Sequence, residues 1–120
     1  MLSKVLIISV SLLFSSVLLA GEADVVDVKI TSMGDGKFRI DATLKHADTG
    51  WDHYANRWDV VAPDGTVLGS RVLAHPHVEE QPFTRSLTLE IPESINTITI
   101  AANDSIHELG GKTMEVSVPH

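Results

Sequence analysis

Two histidines flank a proline in the segment LAHPHVEEQPF, residues 73–83, and two glutamates follow them. Proline favours an extended conformation for the residue before it. Extended residues i and i+2 project to the same side of the chain, about 6–7 Å apart. Two imidazoles in this arrangement can bind one metal ion from one side. His75 and His77 are therefore predicted to be the primary ligands of a transition metal.

A third ligand must come from another segment of the chain. His53 or His46 is predicted to complete the site, and His107 is the next candidate. Four carboxylates are alternative ligands, or partners that orient an imidazole: Asp52, Asp104, Glu79 and Glu80. Imidazole ligands favour copper, zinc or nickel over calcium or magnesium, and the chain has no cysteine for a blue-copper centre. The residue types therefore predict a Cu(II) or Zn(II) ion.

The elements that must position these residues are strands, because apolar and polar residues alternate along most of the chain. The segment KFRIDATLK shows the pattern, with apolar residues at every second position from Phe38 to Leu44. Similar segments predict strands at 25–32, 37–45, 58–62, 66–74, 86–91, 97–101 and 113–118. This spacing is typical of an all-β protein. We expect an immunoglobulin-like, Greek-key β-sandwich of about seven antiparallel strands, in which Trp58 is buried.

The connections between these strands alternate between short turns and long loops. The long loops are the second, fourth and sixth connections, at residues 46–57, 75–83 and 103–112. If each strand runs antiparallel to the one before it, alternate connections lie at the same end of the sandwich. All five histidines of these loops then gather at one end, and His120 lies at the other.

The first 20 residues have the order of a secretory signal peptide. Lys4 precedes an apolar run, and small residues lead to Ala20. A transmembrane anchor is the alternative, but serines interrupt the run. Cleavage after Ala20 or Ala23 would suit the pattern. LLAG resembles the start of a lipobox, but Glu22 follows where a lipidated protein would have cysteine.

We therefore expect a periplasmic or secreted protein with one domain at residues 21–120 and no membrane span after signal cleavage. The full chain has 9 Lys and Arg against 16 Asp and Glu, a net charge of −7. Such an acidic chain repels phosphate backbones, so nucleic acid is not an expected partner. Export brings no disulfide here, because there is no cysteine. The domain is expected to be a monomer or a weak dimer.

Two main readings of the histidine-rich loops stand beside two others, a pH-responsive binding surface and a metallohydrolase or oxidase, which would need an open coordination position and a pocket. In the first, the loops bind a metal ion for carriage, buffering or delivery. In the second, the protein is a metal-free interaction module, in which Trp51, Tyr54 and the histidines contact a protein or envelope partner. The imidazoles would then be structural, as hydrogen-bonded caps of the sandwich. No substrate-shaped feature indicates turnover, so catalysis is not predicted.

Three segments also resemble a family of small exported bacterial proteins. They are HADTGWDHYANRWDVVAPDGTVLG, RVLAHPHVEEQPFTRSL and NDSIH, which match the family's HADxGWDHYA, HPHVxEQPFTRSL and DSxH patterns over most of residues 45–110. The resemblance implies export and a β-sandwich, and it implies no particular activity. The family pattern falls on His46, Trp51, Asp52, His53, Tyr54, His75, His77, Gln81, Phe83, Asp104, Ser105 and His107.

Overall fold

The computed structural model describes residues 22–120, and the predicted signal peptide at residues 1–20 lies outside the described residues. The described chain forms seven strands. They are β1 (Asp24–Gly34), β2 (Lys37–Lys45), β3 (Ala55–Val61), β4 (Val67–Val72), β5 (Phe83–Glu90), β6 (Thr97–Asp104) and β7 (Met114–Ser117). Within residues 22–120, no helix is long and apolar enough to cross a membrane.

The strands form two antiparallel sheets. One sheet has three strands in the order β1-β2-β5, and the other has four in the order β4-β3-β6-β7. β1 contacts β6 and β7, and β4 contacts β5, so the two sheets meet at their edges. This architecture confirms the prediction of an all-β, two-sheet protein with seven antiparallel strands. The finer assignment to an immunoglobulin-like Greek key stays a prediction.

The core lies between the two sheets and follows the period-two pattern. In β2, Phe38 and Ile40 are buried while the residues between them face water, as alternation requires. Trp58 of β3 is fully buried, as expected, and Ile100 of β6 packs in the same core. Each such side chain contributes about 1.5–3 kcal/mol through removal of its apolar surface from water.

The strand connections divide between the two ends as predicted. His46 N–H donates to Gln81 Oε1 at 2.9 Å, and Ser105 N–H donates to the carbonyl of Tyr54 at 2.9 Å. These bonds join the second connection to the fourth and the sixth. His120 lies at the opposite end, where its Nε2 donates to the carbonyl of Ile95 at 2.8 Å. The five loop histidines therefore share one end of the molecule.

Three strands extend further into this end than the sequence predicted. β3 begins at Ala55 instead of residue 58, β5 begins at Phe83 instead of residue 86, and β6 continues to Asp104 instead of stopping at residue 101. The alternation that marks a strand disappears in this part of β6, because every residue from Ile100 to Asp104 is buried. Because this part of β6 lacks alternation, the sequence predicts a loop at Asp104. In the structure, Asp104 is the last residue of a buried strand.

Candidate metal centre

Three side chains at the histidine-rich end bring metal-ligand atoms together. His46 Nε2 lies 3.1 Å from Asp104 Oδ2 and 3.2 Å from His53 Nε2. His53 Nε2 lies 3.3 Å from the same Asp104 oxygen, which closes a triangle of donor atoms. His107 Nδ1 is a further neighbour, 3.1 Å from Asp104 Oδ2. Each side of the triangle is close to the spacing of two ligands that share a small metal ion.

Both sheets contribute to this triangle. His46 directly follows the end of β2 in the three-stranded sheet, and Asp104 ends β6 in the four-stranded sheet. His53 comes from a tight turn in the second connection, in which its N–H donates to the carbonyl of Gly50 at 3.2 Å. The site therefore forms only when the ends of the two sheets are packed together.

The site is buried on one side and open on the other. The side chains of His46 and Asp104 are 0% exposed, whereas those of His53 and His107 are 22% and 38% exposed. An ion at this place would have a rigid inner half and an outer half that solvent or a partner can reach.

Asp104 is anionic at neutral pH although it is fully buried. Burial raises the pKa of its carboxyl group, but hydrogen bonds outweigh this effect and hold the pKa below its ordinary value. The bonds come from the N–H and the ring of His107, the N–H of Ile106 and the ring of His53. Asp104 can therefore serve as a charged oxygen ligand.

Asp48 is a further residue of the site that the sequence did not single out, because an Asp in a loop usually forms a turn. Its Oδ1 accepts a short hydrogen bond from His46 Nδ1, on the far side of the ring from Asp104. Like Asp104, Asp48 has a 0% exposed side chain. The spacing His46-Ala47-Asp48, two residues apart next to a strand end, is the signal that could have identified it.

Within the described residues, neither buried carboxylate has a Lys or Arg partner. In residues 22–120, the side-chain ion pairs of Asp48 and Asp104 are with imidazoles, and none is with Lys or Arg. Buried charges need compensation by an opposite charge. Here that charge must come from a protonated imidazole or from a bound cation.

His75 and His77 lie at the same end of the molecule but outside the triangle. The ring of His77 stacks on Phe83 with centroids 3.9 Å apart, and its Nε2 accepts a hydrogen bond of 2.9 Å from Arg85. His75 is exposed, and its Nδ1 donates to the carbonyl of Pro76. Burial, with the charges of Arg85 and His75, holds the pKa of His77 below its ordinary value. The pair is therefore engaged in other contacts, and the candidate ligands in the triangle are His46, His53 and Asp104.

The aromatic and acidic residues predicted to support the site have separate roles. Trp51 is 68% exposed and makes an edge contact with Tyr54, with centroids 5.5 Å apart. Asp52 contacts the sixth connection through its backbone carbonyl, which accepts a hydrogen bond of 3.5 Å from Ser105 Oγ. The same Ser105 oxygen accepts from the N–H of Tyr54. These contacts link the second and sixth connections and hold the loops around the triangle.

No family model matches the chain, and no solved structure matches it. A protein of Halomicrobium mukohataei named "Putative lipoprotein" is 42% identical to it over 95 residues. The alignment covers 79% of this chain and 47% of that protein, so the chain spans about half the length of the relative. The resemblance to a family of small exported bacterial proteins stays a prediction.

Proposed function

We propose that this protein is an exported metal-binding protein that holds one Cu(II) or Zn(II) ion for carriage, buffering or delivery. The observation that carries the proposal is the triangle of His46 Nε2, His53 Nε2 and Asp104 Oδ2, with sides of 3.1–3.3 Å. Zinc lies about 2.0–2.2 Å from nitrogen and oxygen ligands in tetrahedral sites, which places any two ligands about 3.3 Å apart. The triangle is therefore close to the right size before any ion binds.

Charge balance supports a divalent ion. Asp48 and Asp104 contribute two negative charges to a region where their side chains are 0% exposed. One divalent cation with neutral imidazole ligands would neutralise both carboxylates. Two imidazoles and one carboxylate are also a donor set that suits zinc or copper. His107, whose ring lies beside Asp104, is the proposed fourth ligand.

The exposure of the ligands supports exchange of the ion. A structural zinc site is usually closed, with all four ligands from the protein held in place. Here His53 and His107 form an outer half that is 22% and 38% exposed. An ion held in this way can pass to an envelope partner without unfolding of the domain, which favours buffering or delivery.

Export to the periplasm or the medium is proposed on two grounds. Residues 1–20 have the pattern of a signal peptide, and the Halomicrobium relative is named as a lipoprotein. The 120 residues contain no cysteine, so the lipid attachment in the relative's name is not transferred to this chain.

Calorimetric titration of the metal-free protein with Zn(II) and Cu(II) tests the proposal. The native protein should bind one ion with a Kd of about 1 µM or tighter, and binding should weaken as the pH falls, because protons compete for the ligands. His53→Ala is the informative variant, since the partly exposed ring can be removed with little cost to the fold. His75→Ala is the matched control at the same end of the molecule.

The expected result is a large loss of affinity in His53→Ala and none in His75→Ala. The reverse pattern would support the sequence-based prediction that His75 and His77 are the primary ligands. Equal, weak binding by the native protein and both variants would end the metal proposal.

A metal-free interaction module is the second candidate function, and one observation favours it. Exposed apolar side chains lie in the same two loops that carry His53 and His107. They are Trp51, Ile106 and Leu109, which are 68%, 59% and 54% exposed. If the titrations show no metal site, Trp51→Ala becomes the variant that tests contact with a protein partner.

A further inference from the structure

The carboxylate of Asp48 joins three parts of the histidine-rich end. Its Oδ1 accepts from the ring Nδ1 of His46 and from the N–H of Ala55, the latter at 3.1 Å. Its Oδ2 accepts from the N–H of His77 at 2.6 Å. The donors belong to the segment after β2, to the start of β3 and to the fourth connection.

We propose that Asp48 is the positioning residue of the metal centre, which fixes the tautomer and the orientation of His46. This inference rests on the proposed function. A neutral imidazole carries one proton, and an anionic acceptor at Nδ1 keeps the proton on that nitrogen. With the ion bound, the lone pair of Nε2 then points away from Asp48, toward the place beside His53 Nε2 and Asp104 Oδ2 where the ion would bind. In the metal-free protein, Asp104 Oδ2 is a second acceptor for a ring proton of His46.

His46 needs such a partner more than the other ligands do. Its side chain is 0% exposed, so bulk water does not reach the ring to hydrogen-bond Nδ1. His53 is 22% exposed and is partly within reach of solvent. Without the carboxylate, His46 would lose the acceptor that keeps the proton away from the metal-binding nitrogen.

A role of Asp48 in joining the loops alone would differ from a role in positioning His46. The N–H groups of Ala55 and His77 need an acceptor, and that requirement concerns the fold alone. The contact with the His46 ring lies on the opposite side of the imidazole from the triangle, which is where an orienting group must be. The two roles can be separated experimentally, because only the contact with His46 affects which nitrogen of the His46 ring carries the proton.

The first measurement compares the zinc affinity of Asp48→Asn with that of Asp59→Asn. Asp59 is the matched control, because it is also buried but accepts from Arg57 and Ser70 on β3 and β4, away from the triangle. Loss of an orienting partner typically weakens metal binding about 10–100-fold. We expect this loss in Asp48→Asn and native affinity in Asp59→Asn. Native affinity in a folded Asp48→Asn protein would overturn the inference.

The second measurement is the 15N NMR spectrum of the His46 ring, which a purely structural role would not change. In the native protein, with and without zinc, Nδ1 should carry a proton. In metal-free Asp48→Asn the ring proton should move to Nε2, because Asp104 is then the remaining carboxylate beside the ring. If the substituted protein does not fold, the native spectrum still decides, because an unprotonated Nδ1 would overturn the inference.

The two proposals fail in different ways. If the native protein binds neither Zn(II) nor Cu(II), the proposed function is wrong, and the positioning role of Asp48 is wrong with it. If zinc binds but Nδ1 of His46 carries no proton, the metal centre stands and Asp48 is not its positioning residue.

Discussion

Gly111 offers a quantitative test of how the His107 loop is attached to the domain. A Cβ atom at this position would lie 1.9 Å from the carbonyl oxygen of Ala23, which is backbone and fully buried. Two hydrogen bonds of 2.8 Å join the two segments here: Val25 N–H donates to the backbone carbonyl of Lys112, and Lys112 N–H donates to the side-chain Oδ1 of Asp24. The substitution Gly111→Ala must separate these segments and break the bonds.

The magnitude follows from the contacts that are lost. Each hydrogen bond contributes about 0.5–1.5 kcal/mol net, so two bonds are worth about 1–3 kcal/mol. Replacing glycine by alanine also reduces the conformational entropy of the unfolded chain, which stabilises the folded protein by about 0.4–1 kcal/mol. The difference between these ranges is about 0–2.6 kcal/mol, and we expect Gly111→Ala to lower the free energy of unfolding by about 1.3 kcal/mol, the middle of that range.

Gly110→Ala is the matched control. A Cβ atom there would lie 2.0 Å from Glu22 Oε2, the far end of a flexible side chain that can rotate away. Neither glycine has a left-handed φ, so backbone strain does not distinguish them. Urea unfolding of both variants, at fixed pH and with a chelator present, measures the difference. Equal losses in the two variants, or no loss in Gly111→Ala, would refute the reasoning.

Three shorter predictions concern acid, metal and processing. The lowered pKa of His77 means that the unfolded chain binds its proton more readily. The stability that the neutral His77 ring contributes is therefore complete above about pH 6.5, and it is lost as the pH falls toward the pKa of His77 in the folded protein. In urea titrations without metal, His77→Gln should lose less stability than the native protein between pH 7 and pH 5, and parallel profiles would contradict this. Zinc at about 100 times its Kd should raise the free energy of unfolding by about 2.7 kcal/mol, reversibly on addition of a chelator. If residues 1–20 are a cleaved signal peptide, cleavage should follow Ala20, as measured by intact mass, because cleavage after Ala23 would remove a fully buried core residue. A start at Asp24 would show that the packing of Ala23 is dispensable.

The sequence by itself determined the strands and the end of the molecule at which the histidines gather. Alternation along β2 is a local property of the chain, since successive side chains of a strand face opposite sides. The parity of the connections follows from strand reversal alone. For these reasons the fold class and the shared position of the five loop histidines were predictable without coordinates.

Only the tertiary structure decided which side chains meet. His75 and His77 were favoured because proline imposes a local geometry, but stacking on Phe83 and the bond from Arg85 engage His77 elsewhere. His46 and Asp104 lie at the ends of strands in different sheets, and their 3.1 Å contact depends on how the sheets pack. Local periodicity specifies which face of the sheet each residue of a strand lies on. It does not specify the distance between two strand ends across a core, and a metal site depends on that distance.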